Sequence, residues 1–376
     1  MSSPMDDLLL VGVGGGAARF VCETASRSVP GLKAVVFDSD ARAVPEDAAV
    51  DFRLVGAARL EGRGTGGDTI KGRAALQDDA DIVSGAIAGV KLAIVVVSLG
   101  GGFGGGATPE ILRAMRAKGV TTLCVATTPF GFEGDDRKSS ANKQATLIED
   151  AADTFTFIPL DTLFACGPEA RLGDAFAAAS SRMADVLSLF WIVVAKPGFI
   201  SVGVERMLSV ISGTGGKCFL SLAAATGPGR AATAVNALFD SGMLSVGYKP
   251  DSTGTVLLGI VAGEDLRLAE LTEATNAFKT HLPSGSSLCF GTVLDDARSG
   301  DIKIVSVFFC GRGESLNEEL AVDILPQHSG RRSLRKDSQA LGASGGGRFK
   351  GVEGTIYEGQ DLDIPTYLRR NLPLDK

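Results

Sequence analysis

Histidine, tryptophan and tyrosine are scarce in this chain, with two, one and three residues in 376. The two histidines, His281 and His328, fall in a predicted loop and in a polar linker. The catalytic histidine that a dehydrogenase cleft usually carries is therefore not on offer. Paired cysteines are missing too: Cys22, Cys124, Cys166, Cys218, Cys289 and Cys310 are scattered, with no C-x-x-C spacing. That excludes a zinc or disulfide framework and reads as buried thiols in a reducing compartment. No apolar run is long enough to cross a bilayer, since the greasiest, Val186 to Ala195, stops at Lys196-Pro197. Asp6 and Asp7 precede the first short apolar run, so no signal peptide is read there. A basic excess is absent as well; the formal net charge is −7, which disfavours broad nucleic-acid binding. A cytoplasmic protein is expected.

Glycine, by contrast, is abundant and clustered, with 49 residues. The densest cluster is Gly100-Gly101-Gly102-Phe103-Gly104-Gly105-Gly106, after the apolar run Leu92 to Val97 and before a helical pattern from Glu110 to Lys118. Without Cβ atoms such a backbone can approach a ligand closely. Its N–H groups, with the positive end of the following helix, then suit a phosphate. The spacing matches neither the P-loop nor the dinucleotide fingerprint. A second cluster, Gly12-Val13-Gly14-Gly15-Gly16-Ala17, follows the strand-like Leu8 to Val13; by itself it points weakly to a dinucleotide enzyme. The third is Gly62-Arg63-Gly64-Thr65-Gly66-Gly67-Asp68, before a helix predicted around Arg73 to Ile82.

Short apolar runs at Leu8–Val13, Ala34–Phe37, Leu92–Val97, Thr121–Thr127 and Thr154–Ile158 alternate with helical patterns. Such alternation predicts parallel βαβ units in an α/β fold, with the glycine clusters converging on one sheet edge. Asp38-Ser39-Asp40 places two acids at that edge. A long helix is expected from Leu172 to Ala195, ended by Pro197, with Trp191 as packing. Beyond Gly198 come candidate strands Cys218–Ala223, Thr255–Val261, Ser287–Thr292 and Lys303–Phe309, with helices near Ala231–Leu238 and Leu266–Lys279. Gly213 to Lys217 reads as a turn. The domain division is thus 1–196, 197–312, a disordered linker 313–357 and a tail 358–376. In the linker, Arg331, Arg332, Arg335, Lys336, Arg348 and Lys350 make a basic stretch, either solvated or a site for acidic lipid or nucleic acid. In the tail, Ile364, Tyr367 and Leu368 at i, i+3 and i+4 make one apolar face, as in a docking peptide.

Taken together, these motifs resemble FtsZ, the bacterial tubulin homologue family, from about Leu8 to Gly311 and again at the C-terminus. The loop Gly100 to Gly106 is similar to its glycine-rich signature, Pro129-Phe130-Gly131-Phe132-Glu133-Gly134 with Arg137 to its ribose-contacting segment, and Asp38 to Ala43 to its second loop. Gly259, Gly263-Glu264-Asp265-Leu266, Phe290-Gly291 and Asp295-Asp296 resemble its activation domain. The resemblance implies a tubulin/FtsZ-like fold: a Rossmann-type parallel-sheet GTPase domain, a long central helix and an α+β second domain. GTP or GDP, with Mg²⁺, would lie against Gly14, Gly15, Gly16, Arg19, Asp38, Asp40, Gly66, Gly67, Gly100 to Gly106, Glu133, Arg137, Phe176 and Ser180. No protein metal ligands are expected. Copies would assemble head to tail, or with another FtsZ, each completing the next one's site with loop acids. The tail, through Asp363, Ile364, Pro365, Tyr367, Leu368, Arg369 and Arg370, would dock on membrane tethers and division regulators at the inner membrane.

The departures fall on the chemistry. Where the family's catalytic loop carries Asn and two acids, this chain has Ser201, Gly203 and Arg206. Glu205 is a substitute acid one residue out of register. Losing a water-orienting carboxylate usually costs orders of magnitude in rate. Phe103 and Gly105 stand at hydroxyl positions of the signature loop, Arg19 at an Asn, and Ser180 at the acid that reads guanine. The expectation is an FtsZ-like filament protein that binds GTP and hydrolyses it weakly. The alternatives are a fully active division-ring GTPase and a Rossmann-type dinucleotide enzyme.

Overall fold

The computed structural model describes residues 7–27, 29–163, 171–245, 247–295 and 300–311, with the backbone of 356–357 and 360–361. The first half alternates β1 (Leu8–Val13), α1 (Gly15–Ser26), β2 (Ala34–Asp38), β3 (Asp51–Leu54), α2 (Ala57–Leu60), α3 (Thr69–Asp78), α4 (Ala80–Ala86), β4 (Leu92–Ser98), α5 (Gly102–Ala117), β5 (Thr121–Thr128), α6 (Asp135–Ala151) and β6 (Thr154–Pro159). Helices α7 (Leu172–Ala195) and α8 (Gly203–Thr214) lead to the second half. That half comprises β7 (Gly216–Thr226), α9 (Arg230–Phe239), α10 (Gly242–Ser245), β8 (Thr255–Ala262), α11 (Leu268–Thr280), β9 (Ser287–Leu294) and β10 (Asp301–Gly311).

These ten strands form one sheet in the order β3-β2-β1-β4-β5-β6-β7-β10-β8-β9. Strands β1 to β6 are parallel, as the alternation predicts, whereas β10 runs antiparallel between β7 and β8. Within the sheet the halves pair at Thr154↔Gly216 and Phe155↔Lys217. Continuous apolar runs arise because both faces are covered. Leu8, Leu10, Leu92, Ile94 and Val96 pack toward α1 and α7, and Leu9, Val11, Ala93, Val95 and Val97 toward α5 and α6. Helix α7 backs both halves: its Met183, Val186, Leu187 and Phe190 share one core with Leu220, Val305 and Val307. By length and hydropathy α7 would also pass for a membrane span, but most of that stretch is buried inside the fold. Trp191 is fully buried, its indole N–H donating to the Pro30 carbonyl at 3.3 Å, the packing role expected of it.

Several expectations change. The first glycine-rich turn of α5 begins at Gly102, eight residues before the predicted Glu110 start, so most of the expected loop is helix. The helix expected around Arg73 to Ile82 is two helices that break at Asp79, whose carboxylate accepts the Gly56 N–H at 2.6 Å. Edge strand β3 was not anticipated; its sequence, Asp51-Phe52-Arg53-Leu54, is half charged. Helix α8 takes up the end of the stretch likened to a catalytic loop, from Gly203, and the first two residues of the Gly213 to Lys217 turn. Its buried Val204, Met207, Val210 and Ile211 form a helical stripe that Gly203 and Gly213 disguise. His281 ends α11 and stacks on Phe239 at 4.2 Å, a packing role. Cys124, Cys218 and Cys289 are buried free thiols, and burial pushes Cys124 and Cys218 well above the usual thiol range. Of the expected linker and tail, only a pairing of Ile356-Tyr357 with Gln360-Asp361 is described. Asp363, Ile364, Pro365, Tyr367, Leu368, Arg369 and Arg370 lie outside the described residues.

Candidate functional site

At the C-terminal edge of β1 and β4 the chain makes two similar turns. Gly14 leaves β1 with φ +85° and caps α1; Gly101 caps α5. Neither cap supplies a side-chain acceptor, so the first N–H groups of both helices are left open to an anion. The two turns touch backbone to backbone: a Cβ on Gly14 would lie 3.1 Å from Gly104 N, and one on Gly102 only 2.5 Å from the Gly67 carbonyl carbon. Any larger residue would push the three clusters apart. Asp68 orders the third, accepting from the Ile70 and Lys71 amides at 2.8 and 3.2 Å to start α3.

The result is a cleft whose glycine-lined end, about 620 Å³, is lined by Gly14 to Gly16, Asp38, Asp40, Gly66, Gly67 and Gly101 to Gly104. It continues past Ser98 and Arg137 into a chamber of about 420 Å³ with Arg19, Glu133, Phe176 and Ser180 on its walls. The predicted convergence of the glycine clusters is thus met. Phe176 packs edge-on to Phe130 at 4.9 Å, and the Arg19 guanidinium lies 5.6 Å from the Phe176 ring centre. Phe130 in turn stacks on exposed Phe132.

Charge around the cleft is mostly prearranged. Asp38, buried at the end of β2, accepts the Ser39 and Asp40 amides at 2.6 and 3.1 Å; desolvation still holds its carboxyl above the usual range. Asp40 is held below that range by hydrogen bonds from Arg42, at 2.9 and 3.0 Å. Glu133 accepts the Phe130 amide at 2.8 Å and pairs with Arg137 at 3.1 Å. Ser98 accepts a hydrogen bond from Thr127 at 3.0 Å. Among the described residues no three His, Cys, Asp or Glu side chains cluster as metal ligands.

Some expected contacts are corrected. Gly100, with φ +88°, makes the turn but does not line the cleft. Gly105 and Gly106 face away from it: a Cβ on Gly105 would fall 2.0 Å from Gln144, and one on Gly106 2.1 Å from the Thr69 carbonyl. A hydroxyl at position 105 would therefore meet α6, not a phosphate. Phe103 lends its backbone to the cleft and buries its ring in the core. Sequence reasoning also missed Gln144. Buried on α6, it accepts the Gly100 N–H at 2.7 Å and donates to the Gly101 carbonyl at 3.1 Å, pinning the turn from behind. Nothing in its local sequence marks it. Arg63, Thr65 and Ser98 join the lining from stretches the sequence does single out.

Glu205 is nowhere near this cleft. It sits in the first turn of α8, 76% exposed at its side chain, and pairs at 2.8 Å with Lys91, just before β4. The cleft opens at the other end of that strand, about 20 Å away at roughly 3.3 Å per residue. Within one chain the two cannot meet.

The model of the Tubulin/FtsZ family GTPase domain matches residues 10–167, and that of the FtsZ family C-terminal domain matches 216–311. The chain is 30% identical over 324 residues to cell division protein FtsZ of Bartonella bacilliformis, covering 86% of this chain and only 53% of that protein. It is 29% identical over 314 residues to cell division protein FtsZ of Pseudomonas aeruginosa, covering 83% and 79%. A solved empty FtsZ dimer from M. jannaschii superposes with TM-score 0.74 at 24% identity, over 80% of this chain and 87% of that one. A GTPγS-bound protofilament of CetZ2 from Haloferax volcanii gives 0.68 at 20% identity, over 84% and 96%. With both domain models matched in order across one continuous sheet, the chain is a divergent member of the Tubulin/FtsZ family.

Proposed function

We propose that this chain is an FtsZ-like cytoskeletal protein that binds GTP or GDP in the glycine-lined cleft and assembles head to tail into protofilaments, cleaving GTP slowly. The observation that carries the reading is the pairing of two uncapped glycine helix starts at one sheet edge with an acid-poor loop at the other. The cradle suits an oligophosphate: its open amides and Arg42, Arg63 and Arg137 border the same space. Mg²⁺ would neutralise phosphate charge; with Asp38 and Asp40 already engaged, phosphate oxygens would be its main ligands. Slow turnover is inferred from Ser201, Gly203 and Arg206, together with Glu205 held by Lys91. By analogy with its FtsZ relatives, the protein works in the cytoplasm at the division site, with residues 1–196 binding nucleotide, 197–312 facing the next copy and the tail docking on tethers.

Purified protein should bind fluorescent GTP, sediment when GTP is added, and release phosphate far more slowly than it binds. Failure to bind any guanine nucleotide refutes the reading. Brisk phosphate release that disappears on Glu205→Ala would instead establish the fully active alternative.

A further inference from the structure

The two ends of the 420 Å³ chamber differ. One end shares Gly15, Gly16, Ser98 and Arg137 with the glycine-lined cavity. The other shares Arg19, Phe176 and Ser180 with a further cavity of about 730 Å³ bordered by α1 and α7. A nucleotide with its phosphates in the glycine-lined end lays its base beside Phe176, with the ring edge remote from the ribose toward Arg19 and Ser180. On a purine that edge carries C6, N1 and C2. The side chains waiting there suit acceptors. A guanidinium has several N–H donors and accepts nothing. Arg19, one turn into α1, is exposed; apart from the Phe176 ring 5.6 Å away, it makes no ion pair or hydrogen bond among the described residues.

Free carboxylates are missing from the chamber. Among the described residues Glu133 is the one acid on its walls, and both oxygens are engaged, Oε1 by the Phe130 amide at 2.8 Å and Oε2 by Arg137 at 3.1 Å. Glu23 and Asp47 border the further cavity and not the chamber, and Glu23 pairs with Arg27 at 3.5 Å. Ser180 adds a single hydroxyl oxygen. Guanine turns adjacent donors outward at N1 and the 2-amino group, a pair that the two oxygens of a carboxylate accept together and one hydroxyl does not. We propose that Arg19 selects the base by its oxo groups and that the 2-amino group of guanine goes unread, so that the cleft takes 6-oxopurine nucleotides as a class. This rests on the nucleotide-binding reading above and adds which bases the site admits. Hypoxanthine differs from guanine only in lacking that amine and should bind equally well. Xanthine exchanges the amine for a second oxo group, a further acceptor for the guanidinium, and should bind more tightly. Adenine carries an amine on C6, a donor facing donors, and should bind worst.

The test is competition of GTP and of inosine, xanthosine and adenosine triphosphates against fluorescent GDP on dilute full-length protein. Thermal melting without nucleotide checks that each variant is folded. In the parent, GTP and inosine triphosphate should bind within about threefold of each other and xanthosine triphosphate about threefold or more tighter than GTP. Adenosine triphosphate should bind about tenfold or more weaker than inosine triphosphate, the loss of one charge-assisted hydrogen bond. Arg19→Ala should bring all four within about threefold of one another. Arg19→Lys keeps a cationic donor with no acceptor and should keep the parental ranking. Ser180→Asp supplies the missing pair of acceptors and should favour GTP over inosine triphosphate by about tenfold. A parent that prefers GTP to inosine triphosphate by about tenfold overturns the proposal, as does one that binds adenosine triphosphate as well as inosine triphosphate. So does a folded Arg19→Ala protein that keeps the parental ranking. A parent that binds none of the four sinks the underlying reading instead.

Discussion

Replacing Gln144 with Leu tests whether the cleft is shaped from behind. Leu nearly preserves the volume and removes both ends of a buried clamp. Gly100 N–H then loses its 2.7 Å acceptor and the Gly101 carbonyl its 3.1 Å donor, in a place where the Gln144 side chain is 3% exposed. A buried polar group left unpaired costs about 1–3 kcal/mol. Two such groups, partly relieved by movement of the turn, cost about 2–4 kcal/mol. Relief has its own consequence: the turn that rotates to find water carries the Gly101 cap and the open amides of α5 with it. Nucleotide affinity should fall about tenfold, which corresponds to about 1.4 kcal/mol. Urea unfolding gives the stability change, fluorescent-nucleotide titration the affinity, and hydrogen exchange at the Gly100 amide a local readout, protected in the parent and fast in Gln144→Leu. Gln144→Glu separates the two ends, since it keeps the acceptor for Gly100 and loses the donor to Gly101. A Gln144→Leu protein with parental stability and a still-protected Gly100 amide would refute the clamp.

Three further outcomes follow from the same geometry. Gly106→Ala forces a methyl against the Thr69 carbonyl of α3, a backbone atom that cannot swing aside, and should lose about 1–3 kcal/mol in thermal or urea unfolding. Asp68→Ala removes the acceptor of the Ile70 and Lys71 amides and should cost about 1 kcal/mol, read by the same melts. Arg230 is buried and bonded at 2.8 Å to both Asp265 and Glu270, and it holds the Glu270 carboxyl below the usual range. With a folded pKa depressed, that contribution is present above the unfolded carboxylate pKa and is lost as pH falls through the folded one. Acid titration of stability should therefore show a decline that Arg230→Met reduces; an unchanged profile would refute the linkage.

Much of the architecture was legible because local rules and tertiary demands agree. Leu8–Val13 and Leu92–Val97 are apolar throughout because helices cover both faces of the sheet, and Leu172–Ala195 ends where Lys196-Pro197 must end it. Agreement failed at α5 and α8. Glycine has poor helix propensity, so Gly102 to Gly106 read as loop. A helix nonetheless spans them, and glycine is required at Gly102, Gly105 and Gly106 because the Gly67 turn, Gln144 and α3 approach too closely for a Cβ there. In α8 the apolar stripe was present but bracketed by Gly203 and Gly213.

By itself the sequence determined the strand–helix alternation, the meeting of three glycine clusters at one sheet edge, and the absence of acids where Ser201, Gly203 and Arg206 stand. Local pattern and residue chemistry are enough for those. Tertiary structure alone decided which glycines face the cleft and which are packing surfaces, that Gln144 reaches 43 residues back to Gly101, and that Glu205 is tied to Lys91 at the far end of β4. These depend on distances between segments remote in the chain, which packing sets and no local pattern encodes.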